Sequence, residues 1–199
     1  SQFQIEDTDL ENDKFKVVYA GSIREVNDIN KLVDVAKYLQ NIDKNIEFLI
    51  YGDGNQRDKL ENKCKKEEIK NIVFKGRVEK KYVPYICSKA DINIINVMPT
   101  DINRYGVSWN KLFDYMVAGK PIVSTVKVNY DYIEKYNCGE TTENQNVETI
   151  ANAIIEIKNM SKDEYESMCQ NARNAAKDFD FNVLTNKLEE VVNFTMEKK

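Results

Sequence analysis

The fold is decided by the stretch IEFLIYGDG, residues 46–54. Its first six residues are mostly apolar, and a Gly-Asp-Gly turn closes them. A short apolar run that ends at glycine predicts a strand buried on both faces of a sheet. Residues 56–65 then show a polar helical pattern. The stretch therefore predicts a strand, a tight turn and a helix, which is the repeating unit of a parallel α/β sheet.

The same unit recurs along the chain. Residues 15–20 (FKVVYA) predict a strand that ends at Gly21, and residues 28–39 carry apolar side chains at helical spacing. Further strands are predicted at residues 72–74, 92–97, 122–126 and 139–142, with helices at residues 80–89, 109–117 and 130–136. We therefore expect a single α/β domain with a doubly wound, Rossmann-like parallel sheet.

The two ends of the chain depart from this alternation. Residues 1–14 are acidic and unpatterned, which indicates a linker remnant. From residue 147 onward three helical patterns follow one another without a strand, so the domain is expected to carry extra C-terminal helices. The predicted boundaries are 1–14 for the linker, 15–180 for the domain and 181–199 for a final helix.

Composition excludes several classes of function. A net charge of −4 over 199 residues offers no basic surface for nucleic acid, so none is expected as a partner. The chain has no histidine, the commonest general base and metal ligand. Its four cysteines form no CxxC pair, which predicts buried, reduced thiols in the cytoplasm and no metal site. No apolar run approaches the roughly 20 residues that span a bilayer.

Ligands of open parallel sheets bind at the carboxyl ends of the strands, so the loops after the strands are the candidate sites. The loop GDGNQR departs from the dinucleotide pattern G-x-G-x-x-G because Arg57 replaces its third glycine, and this argues against a redox dinucleotide. Gly52 and Gly54 either form a simple strand exit or let a ligand approach the backbone closely.

The loop after the first strand places Arg24 just beyond a glycine turn and ahead of a helix. There its guanidinium either meets a phosphate, helped by the backbone amides of the helix start, or pairs with Glu25 or Asp28. The spacing alone leaves both interpretations open.

The segment GVSWNKLFDYMVAGKP, residues 106–121, predicts an amphipathic helix that Gly119 ends and Pro121 forbids to continue. The predicted apolar stripe consists of Trp109, Leu112, Phe113, Met116 and Val117. On the polar face, Asp114 either accepts hydrogen bonds from the vicinal hydroxyls of a sugar or forms an ordinary ion pair with Lys111.

Four motifs in the same order then carry a family resemblance. They are YAGSIR (19–24), FLIYGDG (48–54), VFKGRV (73–78) and NKLFDYMVAGKP (110–121). Together they resemble the C-terminal, donor-binding domain of GT-B glycosyltransferases of the large retaining family 4, over about residues 15–180. The last motif is similar to the branch that builds surface polysaccharides. The resemblance implies a nucleotide-diphosphate-sugar at the strand ends, a UDP-sugar ahead of a GDP-sugar, and hexosyl transfer without a metal.

The resemblance also implies roles for single residues. By position, Arg24 matches the basic residue at the donor diphosphate, and Lys111 is the candidate for the second cation there. Asp114 matches the second carboxylate of the family's E-x7-E motif, which holds the ribose hydroxyls. Arg24 and Lys111 would thus be the catalytic groups, because they stabilise the departing diphosphate.

The remaining implied contacts involve mainly the backbone. Gly21, Gly52 and Gly54 match glycines that border the nucleotide. Arg77 and Val78 match the segment that meets the base.

Around the start of the helix in the segment 106–121, backbone amides of Gly106 and Val107 would face the phosphate or the sugar. Gly106 also stands where the family has its first carboxylate, so that side-chain contact is missing or supplied differently.

In the family, the acceptor site and a catalytic histidine belong to an N-terminal domain. We therefore expect this chain to be an excerpt that does not turn over alone, and residues 181–199 to cross back to the missing domain. The full-length protein would act on a glycan or lipid-linked acceptor, with peripheral contact at the inner face of the membrane. Two alternatives stay open: a catalytically inert nucleotide-binding module, and an interaction domain of the same fold.

Overall fold

A computed structural model describes residues 3–105 and 110–197 of the protein. Within them, six parallel strands form one sheet in the order β3-β2-β1-β4-β5-β6. The strands are β1 (Phe15–Ala20), β2 (Ile46–Tyr51), β3 (Ile72–Gly76), β4 (Ile92–Ile95), β5 (Ile122–Ser124) and β6 (Gly139–Thr141). The predicted α/β class, parallel pairing and doubly wound arrangement are confirmed.

Helices follow the strands as the alternation predicts. They are α1 (Thr8–Glu11), α2 (Ile29–Ile42), α3 (Arg57–Lys66), α4 (Val83–Ser88), α5 (Asn110–Ala118), α6 (Tyr132–Tyr136), α7 (Val147–Asn159), α8 (Lys162–Asp178) and α9 (Phe181–Glu197). Short 3-10 turns lie at Glu25–Asn27, Lys80–Tyr82 and Asp101–Tyr105.

One apolar core lies on each face of the sheet, because alternate residues of each strand point to opposite faces. In β2, Phe48 and Ile50 pack on one face with α2 and α7, whereas Leu49 and Tyr51 pack on the other with α4, α5 and α8. All six residues of β2 are buried. Burial on both faces explains why its sequence is almost continuously apolar.

The sheet changes winding direction between β1 and β4, and this positions the site. The chain leaves β1 for α2 on one face and leaves β4 for α5 on the other face. Loops that diverge from neighbouring strands open a crevice at their carboxyl ends, where ligands of such sheets bind.

The N-terminal segment differs from the unpatterned tail expected for residues 1–14. Residues 8–11 form α1, and Leu10 is buried in the core. The Tyr51 hydroxyl donates a hydrogen bond of 2.7 Å to Asp7, whose carboxylate also pairs with Lys75 at 2.7 Å. One buried leucine, the Tyr51 hydroxyl and the Lys75 ammonium hold this segment against the domain, and none of these contacts produces a periodicity in the sequence. Its role as a linker stays a prediction.

Helix α5 buries a slightly different face from the predicted stripe. Leu112 and Met116 are buried as expected, but Val117 is 63% exposed. The buried face is instead completed by Tyr115, which has no exposed surface, because α5 packs between α4 and α8. Val117 lies about 100° further round the helix than Met116 and so leaves this contact. Trp109 lies outside the described residues.

The three C-terminal helices are confirmed as α7, α8 and α9. All four cysteines are unpaired and buried, as predicted. Along α9 several large apolar side chains are exposed, among them Leu188 at 63% and Val191 at 60%. None of the helices in the described residues is long and apolar enough to cross a membrane.

Candidate functional site

A cavity of about 860 Å³ opens at the carboxyl ends of β1, β2 and β3; we call it the β1–β3 cavity. It brings together seven residues that the sequence singled out: Gly21, Arg24, Gly52, Gly54, Arg77, Val78 and Asp114. Lys111 lies beside it, beneath Gly21. The predicted residues Gly106 and Val107 lie outside the described part of the chain.

The glycines of the cavity allow two loops to pack backbone against backbone. A Cβ on Gly52, whose φ is +146°, would lie 1.7 Å from the carbonyl oxygen of Gly21, and one on Gly54 would lie 2.3 Å from that of Ile23. Hydrogen bonds join the same loops, since the Ile23 amide donates to the Asp53 carbonyl at 2.9 Å. The chain itself fills the space that a side chain on Gly52 or Gly54 would occupy, and both glycines also line the cavity, so the close approach of a ligand to their backbone stays a prediction.

Lys111 is a half-buried cation that faces an aromatic ring. Its Nζ lies 4.6 Å from the centre of the Tyr19 ring and donates to the Tyr19 hydroxyl at 3.2 Å. That hydroxyl donates in turn to the Ser22 carbonyl at 3.0 Å. Burial lowers the pKa of Lys111 to about 8. The predicted alternative of an ion pair with Asp114 is wrong, because no carboxylate of the described residues lies within 4.0 Å of the Lys111 ammonium.

Gly21 is required by this arrangement. A Cβ at position 21 would lie 2.8 Å from the Tyr19 hydroxyl and 3.2 Å from Nζ of Lys111. The absent side chain therefore lets the lysine reach the loop that borders the cavity. The sequence predicted that Gly21 ends a strand, but only the structure shows that Lys111 lies next to it.

Arg24 stands exposed at the start of the Glu25–Asn27 turn and lines the cavity. The predicted alternative, a pair with Glu25 or Asp28, is absent among the described residues. Asn27 keeps the turn in place, since its Nδ2 donates to the Ser22 carbonyl at 2.9 Å and to the Ser22 hydroxyl at 2.8 Å. Arg24 thus lines the cavity, and no carboxylate of the described residues lies within 4.0 Å of its guanidinium nitrogens.

Asp114 is the cavity's half-buried carboxylate. Burial raises the pKa of its carboxyl group, and the nearby Lys80 ammonium partly opposes that shift. A half-buried carboxyl group that has no ion pair among the described residues can accept hydrogen bonds from a hydroxylated ligand. Its position on α5 places it across from the loops that follow β1 and β2.

Arg77 and Val78 follow β3 directly, so they lie at the same edge of the sheet. Gly76, with φ of +77°, turns the chain there, and its carbonyl accepts a hydrogen bond of 2.8 Å from the Gly52 amide. Val78 is half-buried, whereas Arg77 is exposed. The structure thus brings the third loop against the second, as the predicted site requires.

Two residues that position the site were missed from the sequence. The hydroxyl of Tyr115 accepts a hydrogen bond of 2.9 Å from the Ala20 amide, which fixes α5 to the end of β1. The buried Nδ2 of Asn96 donates to the backbone carbonyls of Asn27 and Asp28, each at 2.8 Å. Two sequence signals could have indicated them: Tyr115 is a tyrosine among apolar helix positions, and Asn96 is a polar residue that directly follows a buried strand.

A doubly wound parallel sheet with a polar cavity at its carboxyl edge defines a Rossmann-like, nucleotide-binding class of domain. A family model described as "Glycosyl transferases group 1" matches residues 1–175. The chain belongs to this glycosyltransferase family.

One curated relative is the poly(ribitol-phosphate) alpha-N-acetylglucosaminyltransferase of Staphylococcus aureus (strain COL). It is 26% identical over 135 residues, which are 66% of this chain and 26% of the relative. The chain thus spans about a quarter of that relative's length.

Solved structures share the fold. A TarM mutant of S. aureus, in complex with Fondaparinux, alpha-GlcNAc-glycerol and UDP, has a TM-score of 0.74 and 18% identity, over 90% of this chain and 35% of that one. Anabaena HepE in complex with UDP and glucose has a TM-score of 0.71 and 15% identity, over 96% of this chain and 53% of that one. These similarities establish the GT-B-like architecture.

Proposed function

We propose that the chain is the donor-binding half of a retaining glycosyltransferase of family 4, which moves a hexosyl group from a nucleotide-diphosphate-sugar to a glycan or lipid-linked acceptor. One observation carries the proposal. The β1–β3 cavity joins cationic groups without carboxylate partners to a half-buried carboxylate that is free of ion pairs among the described residues, at the edge of the sheet where nucleotides bind. Membership of the glycosyltransferase family supports it.

In this proposal Arg24 and Lys111 hold the donor diphosphate. Arg24 offers a forked pair of donors, and Lys111 offers a desolvated ammonium whose attraction to an anion is strong in a medium of low dielectric constant. Both would stabilise the charge that develops on the diphosphate as the bond to the sugar breaks. The reaction would thus need no metal ion.

The other contacts fix the nucleoside. Asp114 accepts hydrogen bonds from the two ribose hydroxyls, while Arg77 and Val78 border the base. We infer a UDP-sugar rather than a GDP-sugar as the donor, and the UDP complexes of TarM and HepE support this choice.

The proposal also includes a partner. The chain spans only 26% of its curated relative and 53% of HepE, so an N-terminal domain that binds the acceptor would complete the enzyme. The exposed apolar side chains of α9 would pack against that domain. We place the full-length enzyme in the cytoplasm, in peripheral contact with the membrane that holds its acceptor.

Calorimetry tests the proposal, with UDP, GDP and their sugars as ligands of the purified chain. We expect UDP to bind, and Arg24→Ala and Asp114→Ala to abolish or strongly weaken binding. The matched control is Asp58→Ala, which removes an exposed carboxylate at the start of α3. At 100 times its Kd, UDP should raise the free energy of unfolding by about 2.7 kcal/mol.

Each alternative has its own outcome. If no nucleotide binds at millimolar concentration, the chain is an interaction domain and the proposal fails. If UDP binds but the chain joined to its N-terminal domain transfers no sugar, the domain is an inert nucleotide-binding module. Turnover by the isolated chain would refute the claim that half of the enzyme is missing.

A further inference from the structure

One carboxylate of the N-terminal segment joins the ends of two neighbouring strands next to the β1–β3 cavity. Oδ2 of Asp7 accepts a hydrogen bond of 2.7 Å from the hydroxyl of Tyr51, the last residue of β2. Oδ1 of Asp7 lies 2.7 Å from Nζ of Lys75, the last residue but one of β3. Lys75 also pairs with Asp9 at 2.6 Å. We call these four residues the Asp7 cluster.

The loops that border the cavity begin directly after the two strand residues of this cluster. Gly52 follows Tyr51, Gly76 follows Lys75, and the Gly52 amide donates to the Gly76 carbonyl at 2.8 Å. Tyr51, Gly52 and Arg77 line the cavity. A change in the way that Asp7 holds the two strands therefore reaches the cavity wall within one or two residues.

The Asp7 carboxylate is charged and largely shielded from water, since its side chain is 8% exposed. Burial alone would raise the pKa of Asp7, but hydrogen bonds from Lys75 and Tyr51 outweigh it and lower the pKa. A shielded ion pair contributes little net stability, because the loss of hydration of both charges opposes their attraction. The contribution of Asp7 is therefore chiefly geometric: it holds a hydroxyl and an ammonium from two strands at fixed distances around one carboxylate.

A second acidic residue of the same segment makes a comparable contact away from the cavity. Glu11 pairs with Lys89 at 2.9 Å and accepts a hydrogen bond of 3.2 Å from the Tyr85 hydroxyl. Neither Lys89 nor Tyr85 is among the described residues that line the β1–β3 cavity. The segment thus offers one ionic contact at the cavity and one matched contact elsewhere.

We propose that Asp7 is a positioning residue of the β1–β3 cavity, which holds Tyr51 and Lys75 so that the loops 52–54 and 76–78 keep the spacing that a nucleotide needs. The inference rests on the proposed function for the identity of the ligand. Asp7 does not itself line the cavity, so it acts through the ends of β2 and β3. Its removal should weaken nucleotide binding even where the chain stays folded.

Calorimetry with UDP, on variants whose folding is checked by urea unfolding, tests the proposal. Asp7→Ala should weaken UDP binding about three- to tenfold, the range of one net hydrogen bond. Tyr51→Phe keeps the ring and loses only the hydroxyl, so it should weaken UDP binding as well. Glu11→Ala is the matched control: it removes a paired carboxylate from the same segment and should leave the UDP affinity unchanged.

A double variant separates positioning from independent effects of the two substitutions. If Asp7 acts through Tyr51, the chain with both Asp7→Ala and Tyr51→Phe should bind UDP as Asp7→Ala alone does. Losses that add would show that each substitution acts by itself and would contradict the proposal. Asp7→Asn keeps an oxygen for the Tyr51 hydroxyl and for the Asp9 amide, which Asp7 accepts at 3.0 Å. It should recover part of the affinity, and it guards against the loss of α1 in the alanine variant.

The amide signal of Gly52 reports the spacing of the two loops without a ligand, because this amide donates to the Gly76 carbonyl. In nuclear magnetic resonance of the ¹⁵N-labelled free chain, Asp7→Ala should shift the signals of Gly52 and Arg77, and Asp7→Asn should shift them less. Glu11→Ala should leave both signals in place. A contribution to stability alone would lower the free energy of unfolding without moving them.

The outcomes separate this inference from the proposed function. If the parent chain binds UDP and Asp7→Ala binds it equally tightly, or if Glu11→Ala loses as much affinity, the inference fails and the proposed function stands. If the parent chain binds no nucleotide, the proposed function fails. The Gly52 signal of the free chain then decides whether Asp7 positions the loops, and an unchanged signal in Asp7→Ala overturns the inference.

Discussion

Replacing Lys111 by methionine should make the chain more stable at neutral pH. Burial lowers the pKa of Lys111 from its usual 10.5 to about 8, and no carboxylate of the described residues pairs with it. The difference corresponds to about 3 kcal/mol of destabilisation of the charged form. The cation–π contact with the Tyr19 ring offsets about 1 kcal/mol of this destabilisation. Lys111→Met keeps the apolar stem and should therefore raise the free energy of unfolding by about 2 kcal/mol.

The sign of the pH dependence follows from the same shift. Below pH 8 the lysine is charged in both states, so the destabilisation is fully present. Between about pH 8 and 10.5 the unfolded chain binds more protons than the folded chain, and stability therefore rises with pH. Above this range both states are neutral. The stability gap between Lys111→Met and the parent chain should close as the pH rises through this window.

Urea unfolding followed by circular dichroism, at neutral pH and again near the upper end of the window, measures the gap. Cysteines and tyrosines titrate in both chains, so their contributions cancel when the two free energies of unfolding are subtracted. Lys59→Met removes an exposed lysine of α3 and should show a small gap that pH does not change. A Lys111→Met chain less stable than its parent at neutral pH, or a gap that stays constant, would refute the reasoning.

Three further substitutions probe the packing around the site by urea unfolding. Gly52→Ala should lose about 3 kcal/mol or more, because its Cβ would lie 1.7 Å from the Gly21 carbonyl oxygen; a loss below 1 kcal/mol would contradict the backbone contact. Tyr115→Phe should lose about 1–3 kcal/mol and weaken UDP binding, because the buried Ala20 amide loses its acceptor; unchanged values would show that this bond does not position α5. Leu10→Ala should lose about 2–5 kcal/mol, and a neutral result would mean that the N-terminal segment is not part of the folded unit.

The sheet was largely predictable because its strands are buried on both faces. Six-residue, mostly apolar runs such as FKVVYA and IEFLIY, each followed by a glycine, favour a strand buried on both faces, and both strands have the predicted bounds. The ends of the shorter strands were predicted less well, since β5 stops at Ser124 rather than at residue 126, whereas the edge strand β3 continues to Gly76 rather than stopping at residue 74. After β5 the Thr125 amide still donates to the Ile95 carbonyl at 3.0 Å, and the sequence carries no signal for the end of the strand.

The sequence predicted many of the residues that line the β1–β3 cavity, but it did not predict the contacts between side chains. Position in the loops selected the residues of the β1–β3 cavity, yet the partner of Lys111 is Tyr19, 92 positions away. Likewise, Asp7 contacts Tyr51 across 44 positions, so no local pattern indicates their hydrogen bond. Local periodicity predicts the buried face of a helix only approximately, as the exposed Val117 of α5 shows, and only tertiary packing specifies which polar groups contact each other.

The burial of Lys111 indicates that the polar face of helix α5 has a role besides contact with solvent. Folding alone would favour an apolar residue at position 111, because the buried ammonium destabilises the chain and gains no ion pair among the described residues. A bound diphosphate would supply the missing anion and hold Lys111 in its charged form. UDP affinity of the parent chain should then fall as the pH rises above 8, whereas that of Lys111→Met should be weaker and less dependent on pH in this range. If the UDP affinities of the two chains depended on pH in the same way, Lys111 would not contact the donor, and its burial would have no functional explanation.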